Sequence, residues 1–326
     1  TPVYRAYTSY DHDTFKGNIE DLATNKLDKS GNSSSTTVTF TEAGTLANPA
    51  TGESQATLWG KILKLFNSTS GHDHNGTNSK KVSYANITDT PFFNNAGAHN
   101  SIYRGISLGT SVTTAQWTAI SNGTFENLYI GDYWTINSVV WRIAAFDYYL
   151  TTGDTACDTH HVVIVPDTSL YNHVMNDTDI TTGGYVGSKM YTEGLADAKT
   201  AINNAFGSAH ILSHRQYLCN AVTNGYPSGG SWYDSKVELM TEQNVYGGKV
   251  MSPMGNGATV VANYTVDKSQ YPLFVHDPHM ISNRQNFWLR DVVSAAGFAR
   301  VHSYGDASYG YASWGIGVRP AFSIIG

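Results

Sequence analysis

Charge is what this 326-residue chain has least of: Asp, Glu, Lys and Arg together make up 14%, while aromatic residues make up 12%. The surface must therefore be built mainly from Asn, Thr, Ser, Gly and Tyr, which suits an extracellular or particle-exposed protein better than a crowded cytosolic enzyme. The formal charge is -6, and no basic run is longer than Lys80-Lys81. That argues against a nucleic-acid partner, because phosphate binding needs clustered Lys and Arg. Cys157 and Cys219 are the only cysteines, too few for a multi-bridge framework and not in a metal-binding spacing. They are either free or paired. No apolar run approaches the roughly 20 residues that span a bilayer, and no signal peptide opens the chain. The Asn-x-Ser/Thr sites at Asn67, Asn86 and Asn122 are expected by chance in so Asn- and Thr-rich a sequence. Nucleophile-elbow, phosphate-loop and dinucleotide motifs are also missing.

What is present is concentrated in the last forty residues. Phe287-Trp288-Leu289-Arg290-Asp291, Phe298-Ala299 with Val301, and Gly317 to Ile325 predict short buried strands rich in β-branched and aromatic residues. Between them lie Gly297, Arg300, His302, Ser303, Tyr304, Asp306, Ser308, Tyr309, Gly310, Tyr311, Trp314 and Ile316, which follow neither a helical nor a strand period. Tyr and Trp offer large contact area with few torsions to freeze, and Ser, Gly and Asp offer small polar contacts. This is the composition of a binding surface. The competing reading is a Gly-rich loop whose tyrosines pack on their own domain.

Trp288-Leu289-Arg290-Asp291-Val292-Val293-Ser294-Ala295-Ala296, the interposed run, and the closing Gly317-Val318-Arg319-Pro320-Ala321-Phe322 resemble the C-terminus of variable proteins diversified by diversity-generating retroelements. The resemblance is specific at the two ends of the segment and extends more loosely upstream to about Ser101. It implies a C-type-lectin-like domain in which scaffold residues hold the fold while the twelve interposed positions are rewritten from template Asn codons. Most of the interposed residues are reachable by such rewriting; Trp314 is not, and needs another starting codon. The role implied is phage tail-fibre or tail-tip receptor binding, that is, host adhesion on a virion, which a phage releases by lysis without a leader or membrane span.

The rest of the chain predicts an α+β protein. Phe15, Ile19 and Leu22 share one face of a short helix beginning near Asp13, and residues 28–53 read as linker with a strand-like Thr37-Val38-Thr39-Phe40. Ala56 to Phe66 aligns Leu58, Trp59, Ile62, Leu63 and Phe66 on one helical face behind a Ser54 cap; the competing reading is a helix docked on its own domain, but with no other core-forming segment nearby the face predicts association with further copies. Gly71-His72-Asp73-His74-Asn75-Gly76 resembles segments of phage tail-fibre and baseplate proteins. It reads either as a polar turn or, in a trimer, as a set of His72 and His74 imidazoles around one axial metal ion.

Small and polar residues around 95–105 predict a hinge, giving an elongated oligomerisation and tail-attachment region over 1–100 and a ligand-binding domain over 101–326. Within the latter, Asn137 to Phe146 and His161 to Pro166 predict strands, and Ser188 to Phe206 a helix stopped by Gly207. His210 to Asn220 predicts a strand and a second short helix.

Enzyme chemistry finds little purchase. A glycan-cutting tailspike needs two carboxylates across the scissile bond, yet Glu126, Glu193, Glu238 and Glu242 are scattered. Asp291 reads as a structural ion-pair or capping residue, and Asp306 lies among the variable positions. The lectin-like fold is also similar to formylglycine-generating oxidases, but the cysteine pair their chemistry needs has no counterpart near the C-terminus. His160-His161 has no carboxylate at ligand spacing, and Asp177 with Asp179 make a weak calcium site. The expectation is a binding protein rather than an enzyme, with a bacterial surface carbohydrate or protein as partner, a homotrimeric assembly and no required cofactor. The alternatives are a structural baseplate or surface module without a variable ligand and a glycan-degrading tailspike.

Overall fold

The computed structural model describes residues 9–25, 37–72, 94–252 and 269–326, divided into units at 1–90 and 91–326. In the first unit, α1 (Ser9–Asn25) leaves Phe15 and Ile19 exposed; the side chain of Leu22 lies outside the described residues. Thr37 to Phe40 joins no strand, contrary to the alternation in its sequence. α2 (Gln55–Leu65) begins where Ser54 accepts a hydrogen bond from the Thr57 amide.

The face of α2 that packs is the small, polar one. Gly60 lies so close to the Thr41 carbonyl that a Cβ would stand 2.4 Å from it, and Lys64 Nζ reaches Ser70 Oγ and Glu42 Oε1 at 2.5 and 3.2 Å. Trp59, Ile62, Leu63 and Phe66 remain exposed, Leu58 half-buried. His72 is exposed beyond the helix end; His74 and the remainder of the His-rich segment lie outside the described residues.

The second unit is mixed α+β. Its first helix, α3 (Ala96–His99), lies where a hinge was expected, and it is pinned rather than loose. His99 is buried with Nδ1 2.5 Å from the Leu128 carbonyl oxygen, and Asn100 exchanges side-chain hydrogen bonds with both backbone groups of Phe146. The boundary between the two units, after Thr90, therefore precedes the hinge predicted around 95–105, because those small polar residues are used to cap and dock a short helix. α4 (Thr114–Ser121) follows with a capping box between Thr113 and Gln116.

One five-stranded sheet comprises β1 (Tyr133–Ile136), β2 (Val139–Phe146), β3 (Val162–Pro166), β7 (Val237–Leu239) and β12 (Pro320–Ile324), in the order β1-β2-β3-β12-β7. The C-terminal strand thus sits between β3 and β7, antiparallel to both, with Phe322 opposite Ile164 and Val237. The second sheet comprises β4 (Tyr171–His173), β8 (Phe287–Val292), β9 (Gly297–Val301), β10 (Ala307–Tyr311) and β11 (Ile316–Val318), ordered β10-β9-β8-β11-β4. Strands at 287–292, 297–301 and 316–324 follow the hydrophobic runs closely. β10 does not: it falls inside the run that showed no period.

The Ser188–Phe206 helix is interrupted. A π-type turn over Met190–Gly194 leads into α5 (Ala196–Phe206), which ends at Gly207 with φ 85°. The second short helix predicted before Asn220 is instead strand. β5 (His214–Thr223) pairs with β6 (Tyr226–Ser235) through a two-residue turn in which Asn224 and Gly225 have φ of 52° and 80°, the left-handed geometry that Asn-Gly supplies. α6 (Glu242–Tyr246) and α7 (Pro272–His276) complete the unit.

Two apolar clusters fill it. One gathers Trp134, Trp141, Ile164, Phe206, Phe274 and Phe322; the other gathers Trp288, Phe298, Ile316, Val318, Tyr185 and Leu218. No helix among the described residues is long and apolar enough to cross a membrane.

Candidate functional site

The β9–β10 hairpin forms the edge of the second sheet, and it carries most of the interposed residues. Its register places Ser308 opposite Arg300, Tyr309 opposite Ala299, Gly310 opposite Phe298 and Tyr311 opposite Gly297. β9 is buried apart from Arg300: Phe298 belongs to the Trp288 cluster and Ala299 and Val301 to the other. The hairpin is thereby clamped from two sides while its outer strand presents side chains to solvent.

The turn is equally constrained. The Gly305 amide donates to the His302 carbonyl at 2.8 Å and the His302 amide to the Asp306 carbonyl at 2.9 Å, with Gly305 at φ 91°, where a side chain would be strained. Ser303 is held through its amide to Asn286 Oδ1, and Tyr246 donates its hydroxyl to the Gly305 carbonyl. Tyr304, at the tip, is 83% exposed, with its ring 5.1 Å from that of His302.

Beyond β10, the loop carrying Trp314 is fixed from a distant part of the chain. Asp179 accepts from the Ser313 amide and hydroxyl at 3.1 and 2.6 Å, and the Ala312 amide donates to the Ala296 carbonyl. Tyr309, Tyr311 and Trp314 are each about two-fifths exposed and form a chain of edge-to-face contacts at 6.0 and 5.3 Å. The Arg300 guanidinium lies 5.4 Å from the Trp314 ring centre, a cation–π contact, and burial lowers its pKa while nearby Asp306 raises it. Exposed or half-exposed side chains of Arg300, His302, Ser303, Tyr304, Asp306, Ser308, Tyr309, Tyr311 and Trp314 are therefore brought together on one hairpin and its adjoining loop.

Three of the twelve interposed positions do not belong to that surface. Gly297, Gly310 and Ile316 are buried. A Cβ on Gly310 would stand 2.7 Å from the Trp288 ring and 2.9 Å from Ile316 Cδ1, and one on Gly297 would stand 2.7 Å from the Gly310 carbonyl oxygen. Ile316 packs in the Trp288 cluster. These are frame residues: two glycines that let β9, β10 and Trp288 approach, and a core side chain.

The acidic candidates take structural partners. Asp291 Oδ2 accepts from the Glu242 amide at 2.7 Å and so caps α6; burial pushes its pKa up to about 6, offset by that hydrogen bond and reinforced by the neighbouring Glu242 charge. Glu242 itself receives the amides of Val250, Met251 and Ser252. Buried Glu238, its pKa raised by burial, accepts from Tyr185 and Ser235 at 2.8 and 2.6 Å. Asp177 pairs with Lys189.

His160 and His161 do have a carboxylate, one that sequence spacing concealed. Asp147 lies 2.7 Å from His160 Nδ1 and accepts the His161 amide at 2.9 Å. Cys157 and Cys219 are free thiols, their pKa values raised chiefly by burial, which disfavours the reactive thiolate.

A separate cavity of about 140 Å³ is lined by Tyr185, Tyr217, Cys219, Lys249, Arg290 and Asp291, among others. Sequence reading missed it, because its walls come from the β5–β6 hairpin, β8 and the segment after α6. Arg290, which adjoins Asp291 in sequence, donates to Gln216 Oε1 at 2.5 Å. No group of three or more His, Cys, Asp or Glu among the described residues is arranged to hold a metal ion. No family model, curated protein or solved structure matches this chain.

Proposed function

We propose that this chain is a phage tail receptor-binding protein of the retroelement-diversified class. In this reading residues 101–326 form a C-type-lectin-like domain and residues 1–100 an oligomerisation and tail-attachment region. The single observation that supports it is the division of labour in the C-terminal hairpin: buried strand residues clamp it into both apolar clusters, while Tyr304, Tyr309, Tyr311 and Trp314 stand exposed on backbone fixed by Gly305, Asn286 and Asp179. Pre-ordered aromatic side chains bind with little further loss of conformational freedom. A trimer, drawn together through the exposed Trp59, Ile62, Leu63 and Phe66 face, would present three such patches at once and raise a weak single-site affinity. The partner is a bacterial surface molecule, met by the virion outside the cell.

The test is adsorption of the purified protein to host cells. Replacing Tyr304, Tyr309, Tyr311 and Trp314 together by Ala abolishes adsorption while the unit still folds cooperatively, and Tyr304→Ala alone, at an 83% exposed position, weakens adsorption with the melting temperature within a few degrees of the parent, because exposed substitutions cost little stability. Undiminished adsorption, or a collapse of the melting temperature, refutes the reading.

A further inference from the structure

We propose that the ligand of this patch is an acidic glycan, and that Arg300 reads its sugar carboxylate. The inference rests on the binding role proposed above and concerns the same surface.

Arg300 differs from the other half-buried and buried arginines described. Arg104, Arg142 and Arg215 are each paired with a carboxylate, of Asp132, Asp167 and Asp154 respectively. Arg319 donates to the carbonyls of Pro166 and Met280, and Arg290 to Gln216. Arg300 has only a long contact of 3.4 Å from Nε to Ser308 Oγ and the face of Trp314. Among the described residues no carboxylate lies within 4.0 Å of it. The acidic group whose charge acts on Arg300 is Asp306, which is largely exposed and lies 3.4 Å from His302 Nδ1 without a hydrogen bond to it. A guanidinium stays charged in a protein and, when partly desolvated, is stabilised most by an acceptor that takes two parallel N–H groups. A carboxylate is the acceptor that fits this fork.

The size of the patch favours a sugar over a protein surface. Tyr309, Tyr311 and Trp314 are about two-fifths exposed. With Tyr304, 83% exposed, and at roughly 200 Å² per ring, the four aromatics offer about 400 Å² together, about half of the roughly 800 Å² on each side of a standard protein interface. A few pyranose units cover such a patch. The ring faces take their apolar sides, the hydroxyls of Ser308 and the tyrosines meet their polar edges, and the guanidinium on Trp314 meets the acid.

The experiment uses the full chain against immobilised oligosaccharides bearing galacturonate, glucuronate or sialate, each beside its carboxyl-reduced neutral counterpart, with polyglutamate as the peptide control. At least one acidic member is captured about 10- to 100-fold more tightly than its reduced form, the range expected for a hydrogen-bonded charge. Arg300→Gln removes that difference with its melting temperature unchanged, and Arg300→Lys restores only part of it. Equal binding of the paired forms, capture of no acidic glycan, or a preference for polyglutamate each overturns the proposal. If Trp314→Ala abolishes cell adsorption while carboxyl reduction changes nothing, the glycan assignment alone fails. If the four-residue Ala variant still adsorbs to cells, the binding role itself fails.

Discussion

Gly310 offers the sharpest test of where the frame ends and the displayed surface begins. It lies in β10 between two exposed tyrosines, so its position in sequence places it among the displayed residues, yet it is buried over the Trp288 ring. In Gly310→Ala the new methyl would meet Trp288 Cη2 at 2.7 Å and Ile316 Cδ1 at 2.9 Å, inside the separations that real Cβ atoms adopt. Neither neighbour can easily retreat, because Trp288 Nε1 is tied to the His173 carbonyl at 2.8 Å and both side chains are buried in the same cluster. Overpacking of this kind costs roughly 1–3 kcal/mol. For a unit of this size about 2 kcal/mol lowers the melting temperature by roughly 4–8 °C. Gly310→Tyr adds a whole ring to the same space and displaces β10 from β9 or prevents folding. Thermal and urea unfolding of the Ala variant beside Ser308→Ala, whose side chain is half-exposed, gives the comparison. If Gly310→Ala is as stable as Ser308→Ala, or Gly310→Tyr folds with the parent's stability, the assignment of Gly310 to the frame is wrong.

Truncating Trp288 or Phe322 to Ala removes a fully buried ring and destabilises the unit by roughly 3–5 kcal/mol, read as a lowered urea midpoint. Asp179→Ala frees the Ser313 loop and weakens cell adsorption, while the two exposed hydrogen bonds it removes cost about 1–3 kcal/mol of stability; adsorption unchanged from the parent would show that Trp314 needs no such anchor. Asp291 has a folded pKa raised by burial to about 6 from the ordinary 3.8 of an aspartate, so the folded state binds its proton more readily. Its contribution favours folding below about pH 4 and is lost as the pH rises through about 6. His214, lowered from 6.5 to about 3, works in the opposite sense, its contribution being lost as the pH falls. The Asp291 effect is therefore read as the difference between parent and Asp291→Asn, which grows between pH 4 and 6 in favour of the variant; a flat difference refutes it.

The buried strands of the C-terminal segment were legible because hydrophobic density there exceeds anything a loop would carry, and the Ser54 cap and Gly207 stop because their chemistry is local. β10 was not legible. As an edge strand it alternates small with aromatic residues, and its inward position is a glycine, which contributes nothing to a hydrophobic period. The β5–β6 hairpin was missed although Asn224-Gly225 marks its turn: the flanking strands are mixed in polarity, and most of their residues are half-buried or exposed rather than core. The hinge expected near residues 95–105 failed for a related reason. Small polar residues make flexible linkers and helix caps alike, and only the burial of His99 against Leu128 and Phe146 separates the two.

By itself, then, the sequence determined the neutral-polar, aromatic character of the surface, the α+β class and the placement of the C-terminal core strands, because composition and short-range periodicity act through the chain's own local chemistry. Which of the twelve interposed residues reach solvent was decided only by tertiary structure. Gly310 is buried because Trp288 lies over it, Trp314 is held out because Asp179, far away in sequence, grips Ser313, and Asp147 meets His160 and His161 only when β2 and β3 are paired. Contacts between segments so distant leave no periodic trace in the residues that make them.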